Sequence, residues 1–443
     1  MSECAIAEYA IINQARHTNS QTDCPPHNSS ESRYTNKAVS MSYHLDKEFD
    51  RQGTHSVKWE FIVQGDQISH GDHADKKHGP DRILPMWVAD MDFRCPPAVI
   101  EALVKRAQHG IFGYTVPTDS YFDAVIGWMK RQYGWDVERE WITLSPGIVP
   151  AINMLVQSII SSGDKVLIQR PVYYPFMSAI ENNGGEIVSN SLLYENGRYY
   201  MDFEDLAVKT ADPAVKMAIL CSPHNPVSRA WTRDELIRFG EICIENNVII
   251  VSDEIHCDLI FSGQTFTAFA SISDTFAQNS IICTAPSKTF NLAGLKTSNI
   301  IIPNEEWRET FSAKLISNGL FGLNSFGVEA LTAAYNHGQD WLAEVMAYVE
   351  ANYQFMAAYM AEHLPQVTIV PPEATYLIWC DFSQLGLSTE ARKALLMEQA
   401  RVYLDEGEMF GPEGEGFERF NLACPRSILV EALERIKTAV DSL

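Results

Sequence analysis

The sequence has no uninterrupted apolar run of about 18 residues, the length a membrane-spanning helix requires, so no such helix is expected. It has no C-x-x-C pair, which argues against a zinc ribbon or a thioredoxin-like site, and no metal is expected. Its nine cysteines (Cys4, Cys24, Cys95, Cys221, Cys243, Cys257, Cys283, Cys380, Cys424) are scattered and odd in number. Several lie in apolar runs, where a cysteine behaves as a small reduced core residue, and this fits a reducing cytoplasm. Basic residues are scarce beside acidic ones: 34 Lys and Arg against 57 Asp and Glu give 34 − 57 = −23. Bulk electrostatics therefore disfavour nucleic acid and anionic membrane as partners, while leaving room for a local basic pocket that takes an anionic cofactor. The first twelve residues carry Glu3 and Glu8 and no basic cluster, so no secretory signal is expected. Internal repeats and coiled-coil heptads are also missing.

What remains is the composition of a globular protein, 46% hydrophobic and 21% charged over 443 residues. That length allows two to three domains and a core large enough to need no disulfide or metal staple. Residues 17–40 are polar and rich in Ser, Thr, Asn and Pro, a composition unable to bury enough apolar surface to order itself. Residues 1–45 read as a flexible extension, with Met41 a candidate alternative start. From about residue 95, helical patterns alternate with short β-branched runs at 165–169 (KVLIQ), 217–222 (MAILCS), 248–253 (VIIVSD), 280–285 (SIICTA) and 298–302 (SNIII). Such nearly continuous apolar runs belong to strands covered on both faces. Helices are predicted over 149–160 and 233–246, so the fold class is α/β with a largely parallel sheet. After 338 the pattern changes to a long helix (339–363), short strands (367–370, 376–379) and a terminal helix (427–440), the pattern of a smaller α+β domain. The predicted division is 46–95 as the N-terminal part of the small domain, 96–338 as the large domain and 339–443 as the rest of the small one.

Six short segments carry candidate chemistry. Lys288, in Pro286-Ser287-Lys288-Thr289, follows an apolar strand; desolvation there can strip its proton and make it an amine nucleophile, with Ser287, Thr289 and Lys296 near enough in sequence to hold a phosphate. Asp253 ends the run VIIVSD, where a partly buried carboxylate needs a cationic partner. Asn225 sits between two prolines in a rigid turn. Gly147 and Ile148 open a helix whose first N–H groups can face an anion. Tyr173 and Tyr174 lie just past a strand's carboxyl end, where open α/β sheets bind ligands. Arg419 lies in an apolar segment and is suited to clamping a carboxylate.

The order Asn-Pro, strand-end Asp, Ser-Lys and late Arg resembles that of fold-type I enzymes of pyridoxal 5′-phosphate (PLP). The sequence resembles the class I/II aminotransferase superfamily, and within it the MalY/PatB branch of cystathionine and cysteine-S-conjugate β-lyases. The branch-specific words are MWVADMDF at 86–93, SDEIH at 252–256 and SKTFNLAG at 287–294. The likeness runs from about residue 49 to the last residue.

The resemblance implies a large domain with a mostly parallel seven-stranded sheet plus the small α+β domain. It implies PLP as the cofactor, held covalently by Lys288, with Asp253 on the pyridinium nitrogen, Asn225 on the 3-oxygen and Tyr173 stacked on the ring. Gly147, Ile148, Ser287 and Lys296 would hold the phosphate; aminotransferases place Arg where this chain has Lys296 and Ser where it has Ala285, so fewer of the usual donors are present. Tyr114 would reach the phosphate of a neighbouring subunit, which implies a homodimer. Arg419 would bind the substrate carboxylate, with Ala89, Asp90, Tyr174 and Asn225 around the substrate. His256 stands where aminotransferases carry Tyr and marks the branch. Ser228 stands where relatives often carry Gly, a position that would strain a serine if it needs a positive φ.

The implied reaction is elimination: Lys288 removes the Cα proton of an S-substituted cysteine, the sulfur leaves Cβ as thiolate, and hydrolysis of the remainder gives pyruvate and ammonia. An aminotransferase would need the same lysine, aspartate and arginine, and a PLP-binding regulator with little turnover is a third alternative. Pyruvate with thiol, keto acid only with added 2-oxo acid, or neither, separates the three.

Overall fold

The β-branched runs at 165–169, 217–222, 248–253, 280–285 and 298–302 form the interior of one seven-stranded sheet. A computed structural model of the protein describes residues 43–64, 67–70, 82–320 and 322–443. The strands are β1 (Ile142–Ser145), β2 (Lys165–Ile168), β3 (Glu186–Ser189), β4 (Val215–Cys221), β5 (Ile249–Asp253), β6 (Ser280–Thr284) and β7 (Ser298–Ile301), in the spatial order β1-β7-β6-β5-β4-β2-β3. Every adjacent pair is parallel except the two that β7 makes, with β6 and with β1. All five residues of β6 are buried, which accounts for its unbroken apolar sequence. Two strands had no clear sequence signal. β1 is a four-residue run beside a proline turn, and β3 lies at the sheet edge with one of its four residues exposed and the rest half-buried, so neither carries the apolar run of a central strand.

Helices cover the sheet. Among them are α1 (Ile148–Ile159), α2 (Arg233–Glu245) and the one-turn α3 (Pro286–Thr289). α2 starts at a capping box in which the Thr232 hydroxyl accepts from the Glu235 N–H while the Glu235 carboxylate accepts from the Thr232 N–H. The Ile, Met, Leu and Val face of α1 packs with β2, β4, β5 and β6 into one core cluster. Full burial of each such side chain contributes about 1.5–3 kcal/mol.

The later elements fall where the changed pattern put them. α4 (Gln339–His363) leads to a four-stranded antiparallel sheet of β8 (Thr368–Ile369), β9 (Leu377–Asp381), β10 (Asp405–Glu406) and β11 (Phe417–Asn421), in the order β8-β9-β11-β10. α5 (Arg426–Val440) closes the chain. Val402–Tyr403 pairs in parallel with Leu84–Pro85, so residues near 84 join the carboxyl-terminal elements. His44–Leu443 forms one compact unit. The predicted extension over 1–45, with Met41, lies outside the described residues except for its last three positions.

Candidate active site

Six of the seven strands of the large sheet point their carboxyl ends to one edge, and five of the singled-out segments leave the sheet there. β1 runs into Gly147, β2 into Tyr173 and Tyr174, β4 into Asn225, and β6 into Lys288, while Asp253 is the last residue of β5. In register, Asp253 lies opposite Cys221 of β4 and Cys283 of β6. It is 3% exposed, and its Oδ1 accepts from the Ile255 N–H at 3.1 Å. Burial pushes its carboxyl up to about 7, against the pull of the Ile255 N–H and of Lys288.

Lys288 sits in α3, which opens at Pro286 because proline needs no N–H partner at a helix start. Its Nζ donates to the Ala89 carbonyl at 2.8 Å. Burial lowers the ammonium to about 8, and the positive charge of Arg419 acts in the same direction, opposed by Asp90, Asp253 and Asp405. A neutral amine is therefore accessible near neutral pH, as general base and nucleophile chemistry requires.

Arg419 belongs to β11 and is 3% exposed. Its Nη1 donates to Asn225 Oδ1 at 2.9 Å and its Nη2 to the Trp87 carbonyl at 3.1 Å and to Asp405. The Phe410 ring lies 4.9 Å from the guanidinium carbon. Nε is buried and has no partner among the described residues. Asn225 is itself fixed, donating its N–H to the Cys221 sulfur at 3.4 Å.

The words MWVADMDF supply the other wall. Residues 87–93 have little regular structure, yet side chains from distant parts of the chain donate to their carbonyls. Arg419 donates to Trp87; Asn421 Nδ2 to Val88 at 2.7 Å and Asp90 at 2.6 Å; Lys288 and Tyr376 Oη to Ala89 at 2.8 and 2.9 Å; Asn291 Nδ2 to Met91 and Phe93, each at 2.9 Å. From the amino-terminal side Lys58 Nζ reaches Asp92 at 2.7 Å, and Arg51 reaches Asp90 and Asp92, each at 2.9 Å. Backbone polar groups without a ladder must find partners elsewhere, and here side chains provide them.

The remaining candidates are placed as follows. The Tyr173 ring lies 5.4 Å from that of Tyr174, and its hydroxyl feels Asp253, Arg419 and Asp405; burial raises the phenol. His256 is 3% exposed, edge-on to Tyr376 at 6.3 Å, with Nδ1 unpartnered among the described residues and its basicity lowered by burial and by Lys288 and Arg419. Gly147 takes φ 138° as the residue before α1, which only glycine adopts readily, and leaves the first N–H groups of that helix uncapped by a side chain. Ser287 is half-buried, and Lys296 is exposed with φ 48°. Tyr114 is fully exposed, in a stretch with exposed Ile111, Phe112 and Val116. Ser228 does adopt a positive φ, 56°; its hydroxyl contacts the Leu377 carbonyl and lies 3.2 Å from Thr375 Oγ1.

Sequence reasoning missed Asp405, Asn291, Asn421, Arg51 and Lys58. Asn291 lay inside SKTFNLAG and Asn421 two residues after Arg419 in the same apolar segment, and an amide at such a place was the available signal. Asp405, Arg51 and Lys58 had none.

A strand-end aspartate and a deprotonatable lysine at one sheet edge, with a buried arginine bonded to the asparagine of that edge, make a site suited to holding a carboxylate and moving a proton in an α/β enzyme. The family described as aminotransferase class I and II matches residues 83–436. The chain is 48% identical over 396 residues to cystathionine beta-lyase PatB of Bacillus subtilis (strain 168), covering 89% of this chain and 99% of that one. It is 30% identical to protein MalY of Escherichia coli (strain K12), covering 90% and 99%. Cystalysin from Treponema denticola, whose crystal structure contains a pyridoxal 5′-phosphate cofactor, superposes with a TM-score of 0.85 at 36% identity, covering 91% of this chain and all of that one. The chain belongs to the class I and II aminotransferase family, and within it to the MalY/PatB type.

Proposed function

We propose that the protein is a PLP-dependent carbon–sulfur β-lyase that cleaves cystathionine or S-substituted cysteines to pyruvate, ammonia and a thiol. The observation that carries this reading is the Asp253–Lys288–Arg419 arrangement in a chain 48% identical to a cystathionine β-lyase. The residues fit the cofactor. Asp253 is a buried carboxylate held near 7, the condition of an anion that wants a cation, and a protonated pyridine nitrogen is one. Two buried nitrogens without partners among the described residues, Arg419 Nε and His256 Nδ1, lie in the same site.

Lys288 and Asp253 would hold the cofactor, with Asn225 on its 3-oxygen, Tyr173 against its ring and His256 behind it. Ser287, Lys296 and the N–H groups at Gly147 and Ile148 would take the phosphate. Bound there, PLP supplies an electron-withdrawing ring that accommodates the electron pair left at Cα. Arg419 orients the substrate by its carboxylate, and Ala89, Asp90, Tyr174 and Asn225 surround it. The Lys288 amine takes the Cα proton and the Ala89 carbonyl holds that amine in place. Sulfur needs little acid assistance to leave, since a thiol has a pKa of about 8.5.

The same reading includes a homodimer. Tyr114 stands on an exposed apolar stretch, 103% exposed itself, which suits a residue serving a second subunit. It also divides the chain as 46–95 with 339–443 against 96–338, supported by the pairing of Leu84–Pro85 with Val402–Tyr403. A reducing cytoplasm suits the seven cysteines among the described residues, all of them free. The test is incubation of the pure enzyme with cystathionine or S-methylcysteine. Equimolar pyruvate and thiol without added 2-oxo acid supports the lyase; keto acid formed only when a 2-oxo acid is added means an aminotransferase.

A further inference from the structure

Arg419 meets a carboxylate of its own chain. Asp405 and Arg419 are register partners on the adjacent antiparallel strands β10 and β11, 5% and 3% exposed, and the Asp405 carboxylate accepts from Nη2. Directly opposite residues on antiparallel strands hold their side chains side by side on one face of the sheet. The guanidinium has two forks able to take a carboxylate with two parallel N–H bonds, Nε with Nη2 and Nη1 with Nη2, and both use Nη2. Here Nη2 already donates to the Trp87 carbonyl and to Asp405, and Nη1 to Asn225 Oδ1, leaving Nε as a buried donor without a partner among the described residues.

We propose that Asp405 is an internal competitor for Arg419, an affinity-setting residue that a substrate or product carboxylate must displace from Nη2 or share it with. This rests on the reading of Arg419 as the carboxylate anchor. Two carboxylates on one buried guanidinium repel each other, so Asp405 weakens the hold on every amino acid and 2-oxo acid in the site. The weakening has a use, because the product, pyruvate, carries the same carboxylate as the substrate and has to leave.

The test keeps the hydrogen-bond acceptor and removes the charge. Asp405→Asn holoenzyme is titrated with propionate and with L-alanine, neither of which has a β leaving group, following the cofactor absorbance and the heat of binding. The expected result is about tenfold tighter binding of both ligands, a KM for S-methylcysteine that falls in parallel, and stronger inhibition by pyruvate. A merely structural loss would weaken binding, so unchanged or weaker binding overturns the proposal. Asp405→Ser serves the same measurement if the asparagine variant does not fold. Arg419→Gln is the control for the underlying reading. If it binds propionate as the wild type does, the anchor assignment fails; if it loses binding while Asp405→Asn shows no gain, only the role of Asp405 fails.

Discussion

Lys288 Nζ lies 2.8 Å from the carbonyl oxygen of Ala89, a residue 199 positions earlier in the chain. The same carbonyl accepts from Tyr376 Oη, so the lysine has a fixed acceptor at the mouth of the sheet edge. Replacing Lys288 with alanine should abolish pyruvate formation from S-methylcysteine almost entirely. The protein should also lose the yellow colour that survives dialysis in the wild type. Turnover near the wild-type rate would remove the lysine from its role.

Asp253 makes stability depend on pH. Its folded pKa, about 7, is raised above the ordinary carboxylate value of about 3.8. Between about pH 4 and 7 the unfolded state therefore binds fewer protons than the folded one, and stability of the cofactor-free protein falls as pH rises through that window. The largest contribution is about 4 kcal/mol, three pKa units at about 1.4 kcal/mol each. Asp253→Asn should flatten that part of the pH–Tm curve, leaving the share of its neighbour Glu254, which burial also raises, to about 8. It should also slow kcat by orders of magnitude with much less effect on substrate binding. An unchanged pH slope, measured on cofactor-free protein, would contradict the assignment.

Arg419 and Lys296 are expected to fail differently. Arg419→Ala leaves Asp405 and Asn225 buried without their donor and should lower kcat/KM by about two decades or more, at roughly 1.4 kcal/mol per decade. Arg419→Lys should rescue poorly, because an ammonium lacks the planar fork. Cofactor content should stay near normal in both. Lys296→Ala should instead raise the PLP concentration needed to restore activity after dialysis. The opposite pattern would exchange the two roles.

Ser228 combines strain with a bond. A non-glycine residue at φ 56° costs about 1–2 kcal/mol, and its hydroxyl bonds return about 1 kcal/mol. Ser228→Ala keeps the strain and loses the bonds, so it should destabilise by about 1 kcal/mol. Ser228→Gly loses both together and should lie within about 1 kcal/mol of the wild type. Denaturant midpoints at equal cofactor loading distinguish the two, and an alanine variant more stable than the glycine variant would refute the balance.

Tyr114 can be tested by complementation. If it serves the partner's site, a mixed dimer of Tyr114→Ala and Lys288→Ala protomers contains one site with both residues intact. Refolding the two weakly active variants together should restore activity well above that of either alone. No recovery in a verified mixed dimer would return Tyr114 to an ordinary surface residue.

The sheet was legible where its strands are buried on both faces. β4, β5, β6 and β7 were read to within about two residues, because short, β-branched, unbroken apolar runs suit strands covered on both faces. β1 and β3 escaped because short or partly exposed strands carry no such signature. Lys288 and Asp253 were legible as chemistry at strand ends, Asn225 as a turn between prolines and Arg419 as an arginine in an apolar segment; in the structure Arg419 bonds Asn225, and its charge and that of Asp253 both act on Lys288. The partners that shape them were not. Asn421 donating to Asp90 spans 331 residues and Arg51 reaching Asp92 spans 41, and no periodicity encodes a side chain meeting a distant backbone or carboxylate. Asp405 escaped for another reason, since an acidic residue in an acidic chain looks like solvated surface until its burial is seen.

The loop over 87–93 has a consequence for how the enzyme comes into being on the ribosome. Its carbonyls and carboxylates are satisfied by Arg51 and Lys58 before it in the chain, by Lys288 and Asn291 much later, and by Arg419 and Asn421 near the end. Lys288 and Arg419 are 131 residues apart, so at cellular synthesis rates the arginine follows the lysine by on the order of ten seconds. Once β7 has been made, all seven strands of the large sheet are present in the chain while β11 is not, so the loop at the sheet's carboxyl edge still lacks its Arg419 and Asn421 donors. A shortened chain ending before β11 should therefore keep much of its secondary structure and none of its turnover, and a chaperone guarding the nascent protein has most to cover at this edge.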